Sequence, residues 1–115
     1  MDISKQLLVG ESISHAKKKI IKPIELGKFP SRKIMWYAIT TTFEEDNLFY
    51  ILSGSEFRHP LYHRVKDEGS PLERRLKILG ICGSKKEALA MIQDIVQKSV
   101  DSNTVMDLKR VIHTW

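Results

Sequence analysis

Residues 33–43 constrain the fold of this chain more than any other stretch. They are dense in the aromatic and β-branched side chains that suit a pleated strand, and they place apolar groups on both of its faces. With a period of two, Met35, Tyr37 and Ile39 point one way while Ile34, Trp36 and Ala38 point the other. A strand of that kind is central in its sheet and covered twice, by helices on one side and by the N-terminal segment or a second subunit on the other. Residues 48–52 return as its antiparallel partner across an acidic turn of Glu44, Glu45, Asp46 and Asn47.

A second apolar strand is expected over residues 77–82, followed at once by a helix start. In the segment Gly83, Ser84, Lys85, Lys86, Glu87, the Ser84 hydroxyl can accept from the Glu87 N–H while the Glu87 carboxylate reaches back to the Ser84 N–H. Ala88, Met91, Ile92, Ile95 and Val96 then form one apolar face over a helix at 85–99. Residues 101–103 break it, and a last helix over 104–113 turns Val105, Leu108, Val111 and Ile112 inward. The polar stretch 53–75 is expected to add a third strand or edge piece at 61–66, a turn at 66–69 and a single helical turn at 70–73.

The N-terminal residues suit a helix from Ser4 to about Ile21, with Ile3, Leu7, Ile13, Ala16 and Ile20 as its apolar stripe, or a shorter helix starting at Ser12. Pro23 ends either version, and residues 22–32 form a connection. The expected architecture is therefore α+β: an antiparallel sheet of three to four strands, two C-terminal helices packed on one face, and a peripheral N-terminal helix. A chain of 115 residues suits one core, so residues 1–115 form a single domain, with 1–32 as basic helix and connection and 33–115 as the α+β core. Apolar groups on both faces of so small a sheet suggest a homodimer.

The net charge of +5 lies wholly in the first 33 residues, where eight Lys or Arg stand against Asp2, Glu11 and Glu25, while the remainder carries 11 of each sign. Such an excess attracts nucleic acid or an acidic protein partner, or it is a solvated helix surface. Cys82 is the only cysteine, which excludes an internal disulfide and fits a reducing compartment. With no basic-then-apolar leader and no long apolar run, a cytoplasmic protein without membrane association is expected.

Three groups of residues carry possible chemistry. Lys17, Lys18 and Lys19 form a basic cluster on the N-terminal helix. Arg58, His59, Tyr62, His63 and Arg64 crowd around Pro60, and on a strand His59 and His63 share a face, although a third metal ligand at a diagnostic spacing is missing. Lys85 follows Gly80, Ile81, Cys82 and Gly83, a spacing that resembles the Gly-x-x-Gly loop of KH nucleic-acid-binding domains, which implies a grip on single-strand backbone. It departs from that family in its apolar Ile81 and Cys82 and in the strand that precedes it. The order of the strand at 37–39, the helix start at 83–88 and the closing Leu108, Val111 and Ile112 is also similar to small proteins of clostridial bacteria, and implies no activity.

No cofactor, metal site or catalytic constellation is indicated. These features lead to a non-catalytic interaction or regulatory module. The alternatives are a nucleic-acid-binding protein using the basic segment, or a small enzyme using His59, His63 or Cys82.

Overall fold

A computed structural model describes residues 2–42, 48–63 and 76–102. Four strands, β1 (Asp2–Val9), β2 (Tyr37–Thr40), β3 (Tyr50–Ser53) and β4 (Lys77–Cys82), form one sheet in the order β1-β4-β2-β3. β2 runs antiparallel to both β3 and β4, whereas β1 runs parallel to β4. The class is α+β as expected, but the sheet is mixed rather than antiparallel, because residues expected to open a helix form its edge strand instead.

The reason lies in a bulge. Ile3 stands opposite Ile78 and Leu8 opposite Gly80, so β1 carries surplus chain between these pairs. There the buried Ser4 hydroxyl accepts the Gln6 N–H at 3.1 Å. The bulge erases the alternation that marks a strand and leaves Ile3, Leu7 and Leu8 at spacings that imitate a helix.

Helical structure begins only after Gly10, as a 3-10 helix over Glu11–Ala16 that continues into α1 (Lys17–Glu25). Pro23 lies inside α1 rather than ending it. Its ring and missing N–H disturb the carbonyl of Lys19, an exposed residue, and the helix closes within the same turn. At that closure Gly27 adopts a φ of 74°. Its N–H bonds Ile24 O at 3.0 Å and the Lys28 N–H bonds Pro23 O at 2.8 Å, a Schellman arrangement that a side chain at position 27 would strain.

β2 is shorter than residues 33–43 because a turn, closed by the Ile34 N–H on Ser31 O at 3.1 Å, keeps the preceding residues off the ladder. Its alternation is as expected, with Tyr37 and Ile39 facing one layer and Trp36 and Ala38 the other. β4 matches residues 77–82 and contains a bulge of its own. Gly80 faces Ile39 and Ile78 faces Thr40, which leaves Leu79 extra. Leu79 and Cys82 consequently share one face while Ile78 and Ile81 share the opposite one.

After β3 the chain enters α2 (Gly54–Phe57) through a capping box: the Ser53 hydroxyl accepts the Glu56 N–H at 3.2 Å and the Glu56 carboxylate accepts the Ser53 N–H at 3.1 Å. Pro60–His63 is a 3-10 turn where a strand was expected. Proline at its first position lacks the N–H a ladder needs and has the φ that a tight turn wants. His59 and His63 therefore do not share a strand face. Residues 64–66 of that expected strand, the acidic turn at 44–47, the elements at 66–73 and the helix at 104–113 lie outside the described residues.

Both faces of the sheet are covered. Ile13, Ala16 and Ile20 pack with Ala38, Ile78 and Ile81. On the other face Ala88, Met91 and Ile95 of α3 (Lys85–Ser102) pack with Ile39, Leu79 and Cys82. The N-terminal helix is thus part of the core rather than peripheral, and Ile20 has no exposed surface. Burying each such large side chain contributes roughly 1.5–3 kcal/mol. The two-sided burial that suggested a homodimer is met within one chain. Among the described residues, no helix is long and apolar enough to cross a membrane.

Candidate functional site

Two places in this fold can receive negative charge, and the first lies where the parallel neighbours β1 and β4 both run into helices. At the end of β4 the Ser84 hydroxyl accepts the Glu87 N–H at 3.1 Å, as expected. The Glu87 carboxylate does not return to Ser84. One oxygen accepts the Gly83 N–H at 2.9 Å and the Ser12 hydroxyl at 2.6 Å, and the other faces the Ser12 N–H at 3.4 Å. These contacts, the Ser12 hydroxyl first and the Gly83 amide second, hold the Glu87 carboxyl below the usual carboxylate range.

The approach is close enough to exclude side chains from both loops. A Cβ at Gly10 would lie 2.1 Å from the carboxylate, and one at Gly83 would lie 2.3 Å from the Ser12 hydroxyl. The Gly-x-x-Gly loop is therefore a packed turn with its last amide taken, and Ile81 and Cys82 are buried in the sheet. Lys85 is exposed there, apart from the concavities described next.

Cys82 shares this corner without reactive character. Burial pushes its thiol up to about 11, a backbone hydrogen bond at Ser84 only partly offsets the rise, and the nearby Glu87 charge adds to it. A thiol in that state is a poor nucleophile. It packs on the α3 face, whereas the His59 ring lies 6.2 Å from that of Tyr62, which packs against the opposite core. The structure does not unite them. Among the described residues, no three His, Cys, Asp or Glu side chains gather where a metal ion could be held.

The second place is a basic concave surface beside α1. A shallow trough of about 520 Å³ is rimmed by Lys18, Lys19, Lys22 and Lys28, with Pro23, Leu26 and Ile34 supplying apolar surface. It adjoins a cavity of about 360 Å³ bounded by Arg32, Met35, Trp36, Gly54 and Arg58, and the two share Ser31 and Ile34. Among the described residues, no acidic one lines either concavity. Lys17 is exposed at the start of α1 but outside the lining. Among the described residues none of Lys17, Lys18, Lys19, Lys22, Lys28 or Arg32 has an ion-pair partner.

Arg58 joins the two halves. Its guanidinium donates to Pro30 O and lies 5.3 Å over the Phe29 ring, whose edge meets Phe57 at 6.0 Å. Phe57, wholly buried, in turn stands 5.0 Å from Trp36. One guanidinium thus fastens the segment after α1 to α2.

Of the residues singled out from sequence, Lys18, Lys19 and Arg58 converge here. His59 is exposed and Tyr62, 5.5 Å from Tyr50, belongs to the packing beneath. The His63 side chain and Arg64 lie outside the described residues. Lys22, Lys28 and Arg32 were counted in the charge excess without being placed at a site, and Trp36 and Gly54 gave no signal, since their pairing is set by tertiary structure.

No family model matches this chain, and neither a curated protein nor a solved structure does.

Proposed function

We propose that the protein is a non-catalytic interaction module that receives an acidic, amphipathic segment of a protein partner on the surface beside α1. The observation that carries this reading is a pair of adjoining concavities lined, among the described residues, by six cations and no carboxylate, with exposed aliphatic groups among them: Leu26 is 69% and Met35 78% exposed. Carboxylates of the partner meet the lysine rim while its apolar side chains lie on Leu26, Ile34 and Met35. Lysines at positions 17–19 continue the helical path from the 3-10 helix into α1, whose first turn contains no acid. Exposed cations clustered without ion-pair partners among the described residues support a role outside folding.

Nucleic acid answers the same charges, but base stacking asks for exposed aromatic faces. Here Trp36 and Phe57 are buried, and Phe29, 41% exposed, already carries the Arg58 guanidinium over its ring and lines neither concavity. A cytoplasmic setting fits the unpaired cysteine, and nothing in this mode of binding requires a homodimer. The test is a titration with a fluorescent peptide of alternating Glu and Leu, alongside a single-stranded oligonucleotide of equal charge, at low and at physiological salt. Tighter binding of the peptide, lost in a Lys18→Glu/Lys19→Glu/Lys22→Glu variant, is the expected result. Failure of the peptide to bind at low salt overturns the proposal, and tighter binding of the oligonucleotide replaces it with the nucleic-acid reading.

A further inference from the structure

The cavity beside Trp36 differs from the lysine trough in one respect that charge alone does not explain. Trp36 is only 3% exposed, yet its indole N–H has no hydrogen-bond acceptor among the described residues. It is not sealed off either, because no side-chain nitrogen or oxygen among the described residues is both fully buried and unpaired. Buried indole nitrogens ordinarily find a partner, so a donor left open at a cavity wall is one that waits for an acceptor.

The opening is built by a missing side chain. A Cβ at Gly54 would lie 2.8 Å from the indole nitrogen, closer than real contacts allow, and the Gly54 N–H fixes the spacing by bonding Trp36 O at 3.0 Å. Arg32 and Arg58 line the same cavity. The Arg58 guanidinium is oriented by Phe29 and Pro30, so it meets a ligand with little further ordering. An uncharged N–H donor on a residue that shares a cavity lining with two arginines matches an oxyanion that needs both a hydrogen bond and charge.

We propose that this cavity is an anchor subsite for one carboxylate of the bound segment, a Glu or Asp side chain whose oxygens accept from the Trp36 N–H and face Arg58 and Arg32. The inference deepens the function proposed above and rests on it for the source of the carboxylate. A side chain, rather than a chain end, is the proposed occupant because the trough and the cavity adjoin at Ser31 and Ile34, so a segment lying in the first can extend a side chain into the second.

The indole N–H resonance of Trp36, separable from that of Trp115 by a Trp115→Phe variant, reads the subsite directly. With the Glu–Leu peptide it is expected to move downfield, and a peptide with its glutamates replaced by glutamine leaves it in place. Arg32→Gln weakens peptide binding about tenfold, the scale of one charge-assisted contact. Gly54→Ala removes the shift by covering the nitrogen, with the folded state checked by circular dichroism.

Peptide binding with an unmoved indole resonance overturns the subsite and leaves the proposed function standing. If the shift requires the peptide's terminal carboxylate and vanishes on amidation, the side-chain assignment is overturned. Should the peptide not bind at all, titration with free glutarate separates the two ideas. A glutarate-induced indole shift keeps the subsite without the protein partner, and no shift removes both.

Discussion

The corner at Glu87 and the surface beside α1 are both places where this fold welcomes negative charge, and they differ in whether the chain supplies that charge itself. At the corner, a carboxylate from the first turn of α3 occupies the amides and hydroxyl at two helix starts. Ser12 and Glu87, 75 residues apart in sequence, are thereby tied together. Beside α1, six cations line two adjoining concavities that contain no carboxylate among the described residues. An internally satisfied site is a strut of the fold, whereas exposed cations left without an internal counter-charge remain open to one from outside the chain.

The comparison breaks first if the basic surface is not built on the core. Phe57→Ala is expected to destabilise the protein by about 3–5 kcal/mol, because a fully buried ring that packs against Trp36 and Phe29 leaves a cavity that neighbours fill incompletely. Chemical denaturation measures the loss. Peptide binding should fall with it even under conditions where the variant remains folded, since Phe29 is then free to leave Arg58. Unchanged affinity in the folded variant would mean that the surface does not depend on this packing.

Next in size is the effect of Lys18→Glu/Lys19→Glu/Lys22→Glu on binding. Three attractive contacts become repulsive ones at roughly 1 kcal/mol or less each, giving about a hundredfold loss at low salt and a smaller loss at high salt. Stability should change by less than about 1 kcal/mol, because all three side chains are exposed and without ion-pair partners among the described residues. A large fall in melting temperature would instead make these lysines part of the fold and erase the contrast with the corner.

How much of this was legible beforehand follows from the range of the forces involved. β4 and the buried face of α3 were read closely, because an apolar run beside Gly83 and Ser84, then apolar groups at helical spacing, are local patterns that tertiary contacts reinforced. β1 was misread because its bulge depends on pairing with β4, which lies far along the chain. The Ser53 and Glu56 capping box was a local signal that passed unread within a polar stretch. Of the basic surface, the charge was visible, but its concavity was not. That shape needs Arg58 against Phe29 and Gly54 against Trp36, contacts between segments with no shared periodicity.

The corner gives the complementary result, with stability moving and binding unchanged. Glu87→Ala leaves the Gly83 and Ser12 amides to water and is expected to cost about 1–2 kcal/mol, with peptide affinity unaltered. Gly10→Ala should behave similarly, since its methyl group displaces the carboxylate. A loss of binding in either variant would show that the two places are coupled.

The smallest effect is the pH dependence of that tie, and its sign follows from the direction of the shift. The carboxyl titrates lower in the folded protein than in the unfolded chain, so it contributes stability at pH values above the ordinary carboxylate range. The contribution is lost as pH falls through the lowered folded value. Against Glu87→Gln, the wild-type protein should hold an advantage of about 0.5–1 kcal/mol near neutral pH, kept small by solvent at this partly exposed site. The two stability curves should converge only on acidification below the lowered folded value, where both side chains are uncharged. An advantage that persists there would assign the tie to packing around Gly10 and Gly83 instead of to the charge.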